Sequence, residues 1–260
     1  MNERENSVVV IPTWKRPEFL ALCLQKISQT PQASSLDVRI YLDWCQDERL
    51  ADVEYCRDTY FPTAEIFRAG PHVKVLSGTW NILNSLKGGY ETGAEFIFFI
   101  EEDVMVQPCF FEWHWAQHER ENYFVTCGRR HGQMPLDFYS NPGTCYRRSA
   151  LSYVMPHICD EYYADTTKYV DTKFPQYRGQ DGSLDDGLIR KVQKSVGGKV
   201  LCAVPPVAFH QGFHYYDRLP EYRNTGVGIQ DRIRVLEEML PRVDRVDRYT
   251  HDFEPYREGL

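Results

Sequence analysis

Residues Phe96 to Ile100 (FIFFI) form an unbroken apolar run that passes directly into three carboxylates, Glu101, Glu102 and Asp103. A short continuous apolar run reads as a strand buried on both faces, the arrangement of a parallel sheet covered by helices. Three adjacent carboxylates at its end repel one another, so they call for a cation or for solvent. Hard divalent ions such as Mg2+ and Mn2+ prefer carboxylate oxygens and leave room for substrate phosphate oxygens. A solvated loop after a strand would carry the same residues.

The surrounding pattern alternates. Val8 to Ile11 is a β-branched run closed by Pro12, and from Pro17 the residues Phe19, Leu20, Leu22, Leu24 and Ile27 predict a helix with proline in its first turn. A second strand is expected at Val38 to Leu42, a charged helix from about Asp47 to Arg57 and a short strand around Ile66. Ser77 to Leu86 reads as a helix ended by Gly88 and Gly89, and Glu95 to Ile100 as the buried strand. This order predicts an α/β fold with a doubly wound, mostly parallel sheet, in which ligands sit outside the carboxyl ends of the strands.

Beyond it, a Phe- and Trp-rich helix is expected from Pro108 to Glu121, a strand at Tyr123 to Cys127 and a basic loop from Gly128 to Gly132. Residues 131 to 183 are poorly periodic and rich in Tyr, Pro and Asp, which suggests an irregular, substrate-facing lobe. Order returns with a helix at Leu184 to Lys194 and strands at Lys199 to Val204 and Val207 to Phe209. One catalytic domain over about 1–228 is expected, with a nucleotide-binding half to about 107 and an acceptor-side half from 108. A charged helix, roughly Ile229 to Leu240, and an extended tail complete the chain.

With 30 Lys and Arg against 37 Asp and Glu, the formal charge of −7 does not suggest a general polyanion binder. No apolar stretch approaches the ~20 residues of a membrane span. The opening MNEREN lacks the apolar core of a secretory signal, so residence in the cytoplasm is expected. The eight cysteines contain no C-x-x-C pair, which argues against a zinc knuckle, and most are expected to be small buried hydrophobes.

Two further clusters carry potential chemistry. In GQDGSLDDGLIRKVQ, Asp185 and Asp186 open a helix, where the dipole and capping favour acids and where a catalytic carboxylate would also fit. In VAFHQGFHYYDR, His210 ends an apolar strand and His214 follows four residues later. A metal ligand and a satisfied core histidine both suit that position, while Gly212 argues against the helical H-E-x-x-H arrangement.

Taken in order, VVVIPTWKRPEFLALCL, IYLDW, GTWNILNSLKGGYETGAEFIFFIEED and LDDGLIRKV resemble the GT-A-type glycosyltransferases, with the nearest likeness to family 2 and its relatives. The resemblance covers roughly residues 7 to 215. It implies that the Asp-x-Asp motif, which binds a divalent metal (Mn2+ or Mg2+) and the sugar nucleotide, falls on Glu101, Glu102 and Asp103, with Asp103 as metal ligand. Its first Asp is replaced here by Glu101. Asp43 would read the nucleotide's base or ribose, and His210 would complete the metal shell. Asp186 would be the catalytic base of an inverting transfer, with Asp185 beside it. Pro12, Thr13, Lys15 and Arg16 lie at the carboxyl end of the first strand, where a nucleoside diphosphate would rest, although a solvated turn is an equal reading of them.

The expectation is therefore transfer of one sugar from a nucleoside-diphosphate donor, with a UDP-sugar favoured, to an acceptor hydroxyl. The Q-x-x-R-W stretch of processive synthases is absent. A nucleotidyltransferase would share the sheet and the metal carboxylates, but PTWKRP has no glycine for a phosphate loop. A non-catalytic sugar-nucleotide or carbohydrate-binding protein would use the Tyr and Trp residues and leave the carboxylates unexplained. Arg129, Arg130, Arg147 and Arg148 suit an anionic acceptor, even a hydroxylated nucleic-acid base, which the overall charge does not favour.

Overall fold

The computed structural model describes residues 4, 6–14, 16–43, 47–69, 77–130, 134–211 and 228–243. Strands β1 (Ser7–Thr13), β2 (Asp37–Leu42), β3 (Glu65–Arg68) and β4 (Phe96–Phe99) alternate with helices α1 (Pro17–Ser28), α2 (Asp47–Tyr60) and α3 (Ser77–Glu91). A three-residue strand β5 (Val104–Val106) and α4 (Phe110–Arg120) follow. The second half holds β6 (Val125–Cys127), β7 (Thr144–Arg147), α5 (Arg148–Val154), α6 (Asp160–Ala164), α7 (Thr166–Lys173), α8 (Asp185–Ser195), β8 (Val200–Cys202), β9 (Ala208–His210) and α9 (Ile229–Val243).

Seven strands form one sheet in the order β3-β2-β1-β4-β7-β6-β8, and β5 pairs with β9 in a separate ribbon. The first four strands are parallel, β7 runs antiparallel to both β4 and β6, and β8 is parallel to β6. The sheet is thus mixed but mostly parallel. Its two faces carry separate apolar cores set by the two-residue period of the strands. Val9, Ile11, Phe96 and Phe98 join α1, α2 and α4 on one side. Val8, Val10, Ile97 and Phe99 join α3, α5 and α8 on the other. That double coverage explains why β4 reads as a continuous apolar run.

Two expectations need correction. The helix expected to stop at Gly88 and Gly89 runs through both to Glu91. A Cβ on Gly89 would come within 2.9 Å of Ile97 Cγ2 and Val10 Cγ1, and one on Gly88 would collide with the Tyr41 ring. These glycines allow α3 to lie close on the sheet, and Gly93, at φ +82°, follows the helix in the left-handed conformation. Likewise the described part of 131–183 is not irregular: it contains β7 and helices α5 to α7. A four-residue strand passing directly into a helix offers neither period nor turn signal.

Cys23, Cys56, Cys127, Cys145 and Cys202 are buried and all are free thiols, as expected of small core residues. Among the described residues, no helix is long and apolar enough to cross a membrane. Arg129 is itself buried, Arg147 pairs with Glu95 at 3.0 Å and Arg148 lies over the Tyr90 ring at 4.4 Å. Arg147 and Arg148 are therefore engaged in packing at the end of β7. His131, Gly132 and His214 lie outside the described residues, as do Lys15 and the tail beyond Val243.

Helix α9 returns the chain to the first face, where Ile233 and Leu236 are buried against α1. Just before Ile233, Arg232 donates to Asp52 of α2 and lies 3.6 Å from Glu18 of α1. Glu18 is only 2% exposed, and burial pushes its carboxyl up to about 7 against the pull of Arg232. Removing the guanidinium should leave a buried acid without its stronger counter-charge, Arg49 being the weaker one. Arg232→Met is expected to lower stability by about 1–3 kcal/mol in urea unfolding, and an unchanged midpoint would show that the apolar contacts of α9 alone hold it.

Candidate active site

The chain leaves β4 at Phe99, continues one more rung through the Ile100 N–H donated to Val10 O (3.1 Å), and turns at Glu101–Asp103 before β5. That turn sends the three carboxylates in different directions. Glu102 points under the end of β1, where it accepts from the Thr13 hydroxyl, from the Trp14 N–H at 2.9 Å and from Arg16 Nε at 3.2 Å. Asp103 Oδ2 pairs with Arg16 Nη2 at 2.8 Å, and its Oδ1 faces His210 Nε2 at 3.3 Å. Glu101 Oε2 lies 3.7 Å from the same imidazole nitrogen, and its Oε1 accepts from Asn141 Nδ2 at 3.2 Å.

His210 reaches this turn through the small ribbon. In the β5–β9 register Val104 stands opposite His210, and the Gln211 N–H donates to Asp103 O at 2.7 Å. The backbone therefore brings the histidine beside the acid that precedes β5. Glu101, Asp103 and His210 each present a ligand atom, all within 4.8 Å of one another. An ion with bonds near ~2.1 Å places neighbouring ligand atoms about 3 Å apart, close to the 3.3 Å and 3.7 Å spacings found here. Asp103 Oδ1 is buried and accepts no hydrogen bond among the described residues. A mixed set of carboxylate oxygens and one imidazole suits Mn2+, and Mg2+ less well.

The electrostatics of the turn are divided. Burial works against ionising Asp103, but His210 and Arg16 outweigh it and hold the carboxyl below its usual range. Burial would neutralise His210, yet the Asp103 charge raises it. Glu101, by contrast, is pushed up to about 8 by burial and then by Asp103. Glu102 is also raised by burial, with Arg16 pulling against it.

Pro12, Thr13, Trp14, Arg16, Asp43, Glu101, Glu102, Asp103 and His210 share one cavity of about 300 Å³, with Gly78, Asn81 and Ile82 of α3 closing its side. Asp43 is buried at the end of β2, its N–H donated to Thr13 O at 3.0 Å. Asn81 ties the two strand ends together, donating to Thr13 O at 3.1 Å and Tyr41 O at 2.9 Å. The fold thus brings together Pro12, Thr13, Arg16, Asp43, Glu101, Glu102 and Asp103 at the ends of β1, β2 and β4, while Lys15 lies outside the described residues.

Asp185 and Asp186 occupy the first turn of α8, whose N-cap is Leu184. Asp185 accepts from Thr79 Oγ1 at 2.8 Å and from backbone N–H groups of its own turn, which oppose the upward push of burial on its pKa, although it is not the N-cap. Asp186 differs. Its Oδ1 is buried without a hydrogen bond among the described residues, and burial followed by the Asp185 charge raises its carboxyl to about 7. The charges of both aspartates reach Glu101 and help to raise it. The segment before α8 is fixed by Lys191, which is 1% exposed and donates to Gln180 O and Gly182 O. Gly187 lets that segment rest on the helix, because a Cβ there would strike the Asp181 and Gly182 backbone.

Sequence reasoning missed Asn81, Thr79, Asn141 and Lys191. Each is a polar residue whose partner is far away in the chain or in the backbone, so no local pattern marks it.

Neither a protein-family model nor a curated protein matches the sequence. Solved structures do. Similarity extends over 90% of this chain and 70% of S. aureus TarS 1–349, at 13% identity and a TM-score of 0.50. For the same protein in complex with UDP, the shares are 91% and 71%, at 12% identity and a TM-score of 0.50. The mannosyltransferase PcManGT from Pyrobaculum calidifontis, in complex with GDP-Man and Mn2+, is matched by 76% of this chain at 10% identity and a TM-score of 0.52. The match spans 54% of that enzyme's length. At such identities the likeness is one of architecture, and the chain has the GT-A-like α/β fold of these glycosyltransferases.

Proposed function

We propose that this chain is a metal-dependent, inverting glycosyltransferase that moves one sugar from a nucleoside-diphosphate donor, a UDP-sugar in first place, to an acceptor hydroxyl. The observation that carries the reading is the shared cavity. The Glu101–Asp103–His210 cluster, with Asp103 buried and the other two half-buried, opens into the same pocket as the carboxyl ends of β1 and β2, on a fold whose neighbours include complexes with UDP and with GDP-Man and Mn2+.

In this reading Asp103 and His210 hold the cation, Mn2+ or Mg2+, with Glu101 beside them. When bound, the metal neutralises charge developing on the departing diphosphate. Asp43 and the ends of β1 and β2 hold the nucleoside, Pro12 and Thr13 forming the floor. Arg16 and Glu102 hold each other and set the position of Asp103. The acceptor oxygen attacks the anomeric carbon as the carbon–oxygen bond to the diphosphate breaks. The electron pair leaves with the nucleoside diphosphate and the acceptor proton passes to Asp186. A base with a proton affinity near the operating pH is well matched to that transfer, and the unbonded Asp186 oxygen is available to receive it. Asp185, tied to Thr79, fixes the start of α8 and positions Asp186.

Calorimetric titration of UDP- and GDP-sugars, with and without Mn2+ or Mg2+, tests the metal site. Asp103→Ala should abolish the metal-dependent part of donor binding while the fold persists, and full metal-dependent binding by that variant would overturn the assignment.

Base catalysis has a separate signature. Turnover of the wild type should rise with pH through about 7, because the ionised Asp186 is the active form. Asp186→Asn should lose ~10²-fold or more in turnover with donor affinity little changed, and this limb of the profile should vanish with it. Retention of anomeric configuration in the product, read by NMR, or near-normal turnover of the variant excludes the role.

A further inference from the structure

Glu101 is held differently from its neighbours. Asp103 is fixed by Arg16, and His210 by the β5–β9 pairing, whereas Glu101 stands in the turn with Asn141 Nδ2 on its Oε1 at 3.2 Å. Asn141 is 5% exposed and lies between β6 and β7, far from the turn in sequence. Its amide is itself oriented. Tyr139 donates its hydroxyl to Asn141 Oδ1 at 2.6 Å, and the Tyr139 and Tyr146 hydroxyls are 2.6 Å apart.

A phenol has one proton. Tyr139 gives its own to Asn141, so the Tyr146 proton must point to Tyr139, and the chain of bonds has one direction: Tyr146 to Tyr139 to Asn141 to Glu101. Tyr146 is fully buried on β7, opposite Ile97 of β4 and Val125 of β6. With its oxygen held by the Tyr139 hydroxyl, the Asn141 amide presents its donor to Glu101. The other carboxylate oxygen, Oε2, is left towards His210 and Asp103. Because the donor is a neutral amide and not a lysine or arginine, it orients the carboxylate without cancelling the charge that a cation needs.

We infer that Asn141, oriented by Tyr139, is a positioning residue for the metal site, acting through Glu101. This inference rests on the metal-dependent reading above. Partners of this kind, one bond removed from the ion, typically contribute ~10–100-fold in metal affinity.

The experiment is an Mn2+ titration of the purified protein, with free Mn2+ followed by its EPR signal, beside metal-free UDP binding and thermal melting. Asn141→Ala should weaken Mn2+ binding by ~10-fold or more and leave metal-free UDP binding unchanged, a split that a general packing defect would not produce. Tyr139→Phe keeps the ring and removes only the orienting proton, and it should weaken Mn2+ binding in the same direction by a smaller factor. It decides the matter if the alanine variant does not fold. Mn2+ binding within twofold of wild type in the folded variants overturns the positioning inference and leaves the metal site standing. Absence of saturable Mn2+ binding to the wild type overturns the metal reading itself.

Discussion

A carboxylate buried beneath a strand end governs the arrangement of this protein. Glu102 takes bonds from Thr13, Trp14 and Arg16 at the junction of β1 and α1. A carboxyl group in so little solvent is tolerable only when its oxygens are satisfied, so the first strand-to-helix turn and the turn after β4 must fold against each other. This one contact also directs the flanking residues: with Glu102 turned inward, Glu101 and Asp103 are presented on the cavity side. Arg16 spans both positions and couples the acid that is structural to the acid that is available.

Three acidic groups of the site, Asp103, Glu101 and Asp186, have opposite tendencies. Asp103 is kept ionised by two cations, whereas Asp186 and Glu101 are driven towards their protonated forms by burial and mutual repulsion. Environments that push carboxyl groups apart in this way separate a permanent anion from groups able to exchange a proton. The division follows from topology: Asp103 sits between Arg16 and a strand-borne histidine, while Asp186 sits in the first turn of α8 beside the charge of Asp185, its Oδ1 buried without a hydrogen bond among the described residues.

Much of this was legible in the residues. Continuous burial on both faces made β4 visible, and alternation of β-branched runs with periodic helices made the first four strands visible, with boundaries within a few residues. The carboxylates at the end of β4 and the start of α8 stood out because charge in such positions needs a partner. The stretches that stayed hidden are short. β5 and β7 have three and four residues, too few for any period, and α5 follows β7 without a loop. Gly88 and Gly89 were misleading because glycine serves close packing as well as helix termination, and only the sheet beneath α3 tells the two apart. Asn141 and Asn81 were invisible since an amide's meaning lies wholly in what it touches.

The β5–β9 ribbon has a consequence for how the molecule matures. His210 joins Asp103 across more than a hundred residues of sequence, and the ribbon that brings them together has three register pairs with one backbone hydrogen bond beyond each end. During synthesis the first half of the sheet can assemble while this corner is still open, because closing it requires a segment that emerges much later. In the metal-dependent reading, an ion held between the two strands would add its binding free energy to the ribbon's own, so that occupancy and closure would be coupled. A chain that has not paired β9 with β5 keeps Asp103 but lacks the imidazole beside it, so the corner is complete only when this late strand has docked.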